Sequence, residues 1–274
     1  METFENREFP MYESDFWNLS KLAYEHTGIV LGEHKKNLLY SRLSRRIRRL
    51  GLQNFEQYTQ VVASATGEEF DEFLNTITTN LTSFFREEHH FDYLINTIFP
   101  QWERSRTRKI RIWSAGCSTG EEPYSIAMTL AQHFKTQADI KILATDLDAN
   151  VLAHGRAGRY ELSRIEGIDK ALIKKYFKHD KANSQAVVKD VLRNMIVYNR
   201  LNLLGRWPMK APFDVIFCRN VLIYFDKETQ MKLIERYVNQ LGSRGYLIIG
   251  HSENITRLND NLDFIGQTIY RKKT

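Results

Sequence analysis

The run Ser114-Ala115-Gly116-Cys117-Ser118-Thr119-Gly120-Glu121-Glu122-Pro123-Tyr124-Ser125 combines two glycines, two adjacent carboxylates and several small hydroxyls. An apolar β-like run, residues 110–113, precedes it, and an apolar helix-like run, residues 126–131, follows. Strand, tight turn and helix in that order form the first crevice of a doubly wound sheet, where nucleotide-like ligands sit. Gly116 and Gly120 have no Cβ, so the backbone can approach a ligand closely there. A second strand-like run, residues 140–145, ends in Asp146, whose carboxylate can accept from both hydroxyls of a ribose. The spacing G-x-x-x-G is neither the dinucleotide fingerprint nor a P-loop. Glu121 and Glu122 make the helix entrance acidic, which disfavours a pyrophosphate and suits a cationic ligand. S-adenosylmethionine meets that description: it has a sulfonium, an ammonium and a ribose, and no phosphate. An ordinary glycine turn with an acid capping a helix N-terminus accounts for the same residues.

The elements that must hold this crevice can be read from the rest of the chain. At 274 residues with 42% hydrophobic content, the chain can build one large domain, or a medium one with a small companion. No apolar run approaches the length of a membrane span, and residues 1–7 lack the basic start and apolar middle of a signal peptide. Cys117 and Cys218, both at predicted strand ends, read as small buried thiols of a reduced, cytoplasmic protein.

Residues 14–80 read as helical, with predicted helices over 16–25, 35–50, 55–63 and 68–77. In the second of these, Leu39, Leu43, Ile47 and Leu50 form an apolar stripe, and Arg42, Arg45, Arg46 and Arg49 form a basic one beside it. No acid occurs between His34 and Gln53, so the stripe predicts an acidic partner: nucleic acid, an anionic membrane surface or an acidic protein helix. A second basic run, Arg106, Arg108, Lys109 and Arg111, reads as solvated surface. A helix over 90–104 leads into alternating strands and helices from Ile110 onward, as an α/β sheet requires. The interval 158–200 breaks that rhythm with short strand-like pieces. Residues 213–218, 227–241 and 245–249 resume it, and 264–271 reads as one antiparallel closing strand.

Several separated motifs occur together in order. They are Thr79-Asn80-Leu81-Thr82-Ser83-Phe84-Phe85-Arg86, the glycine turn, Phe213 to Asp226 with its core Cys218-Arg219-Asn220-Val221-Leu222-Ile223-Tyr224, and Gly250-His251-Ser252-Glu253. With these the chain closely resembles the chemotaxis receptor methyltransferases, the CheR family, from about residue 16 to residue 270. The resemblance implies a doubly wound α/β S-adenosylmethionine-dependent methyltransferase sheet (81–274), a small N-terminal all-α domain (1–80) and an inserted antiparallel β subdomain at about 158–200.

It also implies methyl transfer to glutamate side chains of chemoreceptors, leaving methyl esters and S-adenosylhomocysteine. A glutamate with a pKa of about 4.3 is already ionised at neutral pH, so no general base is required. Arg86 is the expected fork that orients the substrate carboxylate, with Tyr224 supplying a single hydrogen bond to that carboxylate or to the methionine end of the cofactor. Carried over by motif, Asn80, Thr82 and Arg86 border the methionine end of the cofactor. Gly116 lies in the turn, Glu121 meets the ammonium and Asp146 the ribose. Asn202 and Leu203 flank the adenine, and Arg219 and Asn220 close the site. Which of Glu121 and Glu122 faces the ligand stays open. His251 reads as a structural pin, and His89, His90 and the other histidines do not suggest a metal site.

In this reading Arg42, Arg45, Arg46 and Arg49 dock on the acidic helical bundle of a receptor, at membrane receptor arrays, without membrane insertion and without nucleic acid. One departure concerns the C-terminal receptor pentapeptide tether. The polar turn 178–185 lacks the glycine found in relatives that bind the tether, so recognition of the receptor body alone is expected. Two rivals remain: a methyltransferase acting on RNA, with the basic helix on phosphates, and a catalytically silent cofactor-binding module. The first lacks an aromatic-rich acceptor motif for a flipped base, and the retained Arg86, Arg219, Asn220 and Tyr224 speak against the second.

Overall fold

Four α-helices lie in residues 7–79 of the computed structural model, which describes residues 7–64, 66–107, 109–134, 138–256 and 258–274. Arg108 of the second basic run and residues 1–6 lie outside the described residues. The helices are α1 (Glu13–Thr27), α2 (Lys36–Arg49), α3 (Phe55–Val62) and α4 (Glu68–Ile77). At the start of α1 the Asp15 carboxylate accepts from the Tyr12 backbone N–H at 2.9 Å, and Gly28 ends the helix with φ 72°. Leu39, Leu43 and Ile47 of α2 are buried, as their spacing predicts, whereas Leu50, the residue after the helix, is exposed.

The basic stripe of α2 divides in two. The Arg42 guanidinium donates to the Thr76 and Thr78 carbonyls at 2.9 and 2.6 Å, capping the C-terminal end of α4 where carbonyls lack helical partners. Arg46 pairs with Glu69 and Glu72 of α4 at 2.5 and 3.1 Å. Arg45 and Arg49 are exposed. The sequence predicts all four on one displayed stripe. Two of them instead bind α4, because that helix brings acids and a carbonyl terminus that the spacing of α2 does not reveal.

Residues up to Thr79 together with Tyr224–Thr229 form one compact unit. The returning segment is tied in by Val30 N–H to Tyr224 O at 2.9 Å and by the Tyr24 hydroxyl to Asp226 at 2.7 Å. Asn80–Ile223 with Gln230–Thr274 form the other unit.

The second unit begins with α5 (His89–Tyr93), a π-helical turn (Leu94–Ile98) and α6 (Phe99–Arg104). Then follow β1 (Lys109–Ala115), α7 (Glu121–His133), β2 (Asp139–Asp146), α8 (Ala149–Ala157), β3 (Arg159–Glu161), α9 (Leu162–Ile165) and α10 (Lys170–Tyr176). The remaining elements are β4 (Phe177–Asp180), β5 (Gln185–Val188), α11 (Asp190–Arg193), β6 (Ile196–Arg200), β7 (Phe213–Cys218), α12 (Lys227–Gln240), β8 (Leu241–Ile249), β9 (Leu262–Gly266) and β10 (Ile269–Lys272).

The main sheet has the order β6-β2-β1-β7-β8-β10-β9, parallel from β6 to β8 and antiparallel from there to β9. Val215, Ile216, Phe217 and Cys218 of β7 are all buried, as a central parallel strand covered on both faces requires. A separate antiparallel sheet, β3-β5-β4, lies between β2 and β6 in the chain. The sequence suggests an insertion running to about residue 200. Residues 196–200 instead form β6, which pairs in parallel with β2 in the main sheet.

The closing strand expected over 264–271 is a hairpin, β9 and β10. Its two central residues, Gln267 and Thr268, have φ of 50° and 59°, the type I′ geometry that matches strand twist. Neither is the asparagine or glycine that usually signals such a turn, so the alternation reads as continuous. Among the described residues no helix is long and apolar enough to cross a membrane.

Candidate active site

All the motifs except 79–86, which precedes the first strand, collect at one end of the sheet because each lies at the carboxyl end of a parallel strand. The glycine turn follows β1, Asp146 ends β2, Asn202 follows β6, Arg219 and Asn220 follow β7, and Gly250 to Glu253 follow β8. From β1 the chain builds β2 and β6 on one side, then returns to build β7 and β8 on the other. The crevice outside β1 and β7 is therefore the topological switch point, where open α/β sheets bind ligands.

Gly116, Ser118 and Gly120 all have left-handed backbones, with φ of 86°, 47° and 98°. The Gly116 and Cys117 N–H groups both donate to the Thr145 carbonyl, at 2.8 and 2.9 Å, which ties the turn to the end of β2. Ser118 N–H donates to Asp146 Oδ2 at 2.9 Å and Asp148 N–H to Asp146 Oδ1 at 3.0 Å. Both glycines are also required by the protein's own packing. A Cβ on Gly116 would stand 2.3 Å from Val221 Cγ2, and one on Gly120 would meet the Gly155 Cα and the Tyr160 and Tyr198 hydroxyls at 2.9 Å. Loss of hydration pushes the Asp146 carboxyl up to about 6, against the opposing pull of its backbone donors. Cys117 and Cys218 are free and buried, and burial raises both thiols well above their ordinary range.

The two adjacent acids separate by partner. The Glu122 carboxylate accepts from Ser114 Oγ at 2.6 Å and from Arg219 at 3.1 Å. Desolvation raises its carboxyl pKa, partly opposed by the Arg219 charge. Glu121 instead takes the Thr119 hydroxyl at 2.6 Å and the Arg164 guanidinium. Arg164 belongs to no recognisable motif, and nothing in its sequence context signals that contact.

Arg86 is held between two left-handed residues, Phe85 at φ 53° and Glu87 at φ 56°. Each such non-glycine backbone costs about 1–3 kcal/mol, so surrounding contacts must impose it. Ser125 Oγ receives the Phe85 N–H at 2.9 Å, and the Arg219 guanidinium donates to the Arg86 carbonyl. The Arg86 guanidinium itself donates to the Leu81 carbonyl at 2.8 Å. Glu87 gathers the His251 N–H at 3.1 Å, His251 Nδ1 at 2.8 Å and Arg219 at 3.5 Å, which gives His251 a pinning role.

Arg219 is almost wholly buried and directed at protein groups, so its guanidinium shapes the site through Arg86. Asn220, at φ 57°, donates its N–H to Glu253 at 3.0 Å, and Glu253 also receives the Gly250 and Ile223 N–H groups at 2.6 and 3.3 Å. The sequence pattern does not single out Glu87 or Glu253 as site residues. Glu253 does end a motif, and Glu87 follows Arg86 directly.

The remaining candidates lie as follows. Asn80 donates to Asp148 at 3.0 Å and its carbonyl accepts from Ser118 Oγ at 3.0 Å. Thr82 offers its carbonyl to Arg164 at 2.8 Å. Asn202 Oδ1 accepts from Leu204 N–H at 2.9 Å, while the Leu203 carbonyl is held by Trp207 at 3.0 Å and Arg236 at 2.5 Å. Tyr224 falls in the N-terminal unit, where its hydroxyl donates to the Thr79 carbonyl at 3.3 Å.

Glu87, His89 and His90 bring three ligand-type atoms within 4.8 Å of one another, closer than the sequence suggests. Glu87 there already neutralises Arg219 and holds His251, so a metal would compete with a buried guanidinium. Burial pushes His90 down to about 3, aided by the Arg219 charge, and keeps it neutral.

Comparison with known proteins finds matches over most of the chain. Residues 80–271 match the family model described as "CheR methyltransferase, SAM binding domain", and residues 14–78 match "CheR methyltransferase, all-alpha domain". Chemotaxis protein methyltransferase 2 of Pseudomonas aeruginosa is 43% identical over 271 residues, covering 97% of this chain and 96% of that protein. The chemotaxis protein methyltransferase of Escherichia coli is 41% identical over 263 residues, covering 94% and 90%.

The contact with Val221 makes Gly116 testable. Gly116→Ala should cost about 2–4 kcal/mol, combining backbone strain with overpacking. In a Val221→Ala background the same change should cost about 1 kcal/mol, the strain alone. Urea unfolding of the four proteins measures both, and equal costs in the two backgrounds would remove Val221 as the cause.

Proposed function

The chain belongs to the CheR methyltransferase family, and from that premise we propose that its crevice positions S-adenosylmethionine against a glutamate side chain of a chemoreceptor. It is an S-adenosylmethionine-dependent methyltransferase. The donor set fits this cofactor, because Glu121 and Asp146 present carboxylates, as a ligand carrying an ammonium, a sulfonium and no phosphate requires. When bound, the cofactor supplies a methyl group on a positively charged sulfur.

Asp146 accepts from the ribose hydroxyls and Glu121 from the ammonium. Asn202 meets the polar edge of the adenine and Leu203 packs beside it. Asn80 and Thr82 border the methionine end, and the Gly116 and Asn220 backbones line the turn and the facing loop. Arg86 holds one oxygen of the substrate carboxylate so that the other faces the methyl group. Tyr224 adds a hydrogen bond to that carboxylate or to the methionine end of the cofactor. No base is needed, since the carboxylate is ionised, and the residues contribute chiefly by fixing the line of attack. A carboxylate anion and a sulfonium cation would both be neutralised by methyl transfer, so a crevice that excludes water would favour it. The observation carrying this reading is the constrained backbone on either side of Arg86, whose carbonyl accepts from buried Arg219.

For docking, Arg45 and Arg49 supply the exposed positive charge, and the occupant proposed is the acidic methylation region of a receptor helical bundle at membrane arrays. The β4–β5 turn is closed by Asp180, which accepts from the Ala182 and Asn183 N–H groups at 3.1 and 3.4 Å. That self-contained turn supports recognition of the receptor body without a tether.

Labelled methyl should pass from S-adenosylmethionine to receptor-containing membranes and leave as methanol in mild alkali. Arg86→Ala should reduce that transfer by about 100-fold or more at unchanged fold. Alkali-stable label on RNA would instead favour the rival acceptor.

Asp146 makes cofactor binding depend on pH. Its carboxyl is raised to about 6 from an unfolded value of 3.8, so its contribution to stability is present below the unfolded value and lost as pH rises through about 6. Ribose recognition needs the ionised form, so affinity for S-adenosylhomocysteine should be about tenfold weaker at about pH 5 than at about pH 7. Calorimetric titration would measure it, and Asp146→Asn should flatten the profile; a flat wild-type profile would discard the assignment.

Reversing Arg45 and Arg49 to Glu should lower receptor methylation severalfold and leave cofactor affinity unchanged. A parallel loss of cofactor binding would count against a separate docking surface.

A further inference from the structure

The Glu121 carboxylate is 1% exposed and already holds a cation. One nitrogen of the Arg164 guanidinium donates both to Glu121 Oε1 and to the Thr82 carbonyl, the latter at 2.8 Å. Thr119 Oγ1 occupies Oε2 at 2.6 Å. Arg164 stands on α9, next to the inserted sheet, and its side chain is 41% exposed.

Charged recognition of an α-ammonium at this point needs the same carboxylate and a neighbouring carbonyl. A buried carboxylate without a cation is expensive, and the chain supplies one from its own sequence. Two cations on one buried carboxylate repel each other. The outer, partly solvated partner is the one that can leave at small cost, because water can take over its hydrogen bonds.

We propose that Arg164 is an internal competitor for the ammonium subsite, and that it sets the enzyme's affinity for S-adenosylmethionine by having to release Glu121 when the cofactor binds. This rests on the reading that Glu121 meets the cofactor's ammonium. Arg164 is thus an affinity-determining residue that weakens binding, and its release moves charge from the crevice to the exposed side of the insertion.

The test is calorimetric binding of three probes to the full-length wild type and to Arg164→Ala, Arg164→Lys and Glu121→Gln. S-adenosylhomocysteine carries an ammonium and a carboxylate, decarboxylated S-adenosylhomocysteine an ammonium only, and 5′-methylthioadenosine neither. Arg164→Ala should bind the first two about three- to tenfold tighter and the third unchanged. Arg164→Lys should remain close to wild type, since it keeps a cation at Glu121. Glu121→Gln should weaken the two ammonium-bearing probes alone.

If Arg164→Ala weakens S-adenosylhomocysteine and spares the decarboxylated probe, the arginine binds the cofactor carboxylate and the proposal is wrong. If it changes none of the three while Glu121→Gln behaves as expected, the ion pair has no part in binding and only this inference falls. If Glu121→Gln weakens all three probes alike or none, the assignment of Glu121 fails, and the inference fails with it.

Discussion

A buried guanidinium organises the crevice. Arg219 sits at the end of β7 with its side chain 3% exposed, and it spans Glu122 on α7, Glu87 before α5 and the Arg86 carbonyl. Charges removed from water are tolerated only when partners and hydrogen bonds replace hydration, and removing one partner typically costs about 3–5 kcal/mol. The network therefore behaves as a unit. It joins the strand end, the first turn of α7 and the segment bearing Arg86, the residue that would meet the substrate. Glu253 repeats the device nearby by collecting the N–H groups of Gly250, Asn220 and Ile223.

These anchors explain how the backbone around Arg86 can remain in unfavourable conformations. Phe85, Glu87, Ser118 and Asn220 all have positive φ without being glycine. Strain of this kind is sustained where neighbouring contacts over-determine the chain, and it clusters where groups must be aimed. The same region carries an electrostatic load. Desolvation raises the carboxyls of Asp146, Glu122 and Glu253, so each anion is held at a cost that internal donors only partly offset. A cationic, hydroxyl-bearing ligand relieves that load, and a phosphate would add to it.

Much of the architecture is legible from residue patterns. The apolar stripes of α1 to α4, the alternation of strand and helix from β1 onward and the glycine turn follow from local periodicity and turn chemistry. Failures occur where a partner distant in sequence decides the outcome. Arg42 and Arg46 share a face with Arg45 and Arg49, yet α4 captures the first pair through Glu69, Glu72 and its carbonyl terminus. The β9–β10 hairpin escapes because Gln267 and Thr268 carry no turn signal, and its geometry is held by pairing with β8. Residues 196–200 read as part of an insertion until their parallel pairing with β2 is seen.

By itself the sequence determined the class of protein and the identity of its motifs. Composition, period and ordered short motifs are local properties of the chain, and a family resemblance is a property of their order. Tertiary structure alone decided which of two adjacent glutamates turns toward Arg219 and which toward Arg164. It also decided that Gly116 is demanded by Val221 as well as by any ligand, and that Arg219 serves as a buried strut. Each of these depends on distance in space between residues far apart in the chain. Side chains of identical type then differ in solvation and partner, and no spacing rule carries that information.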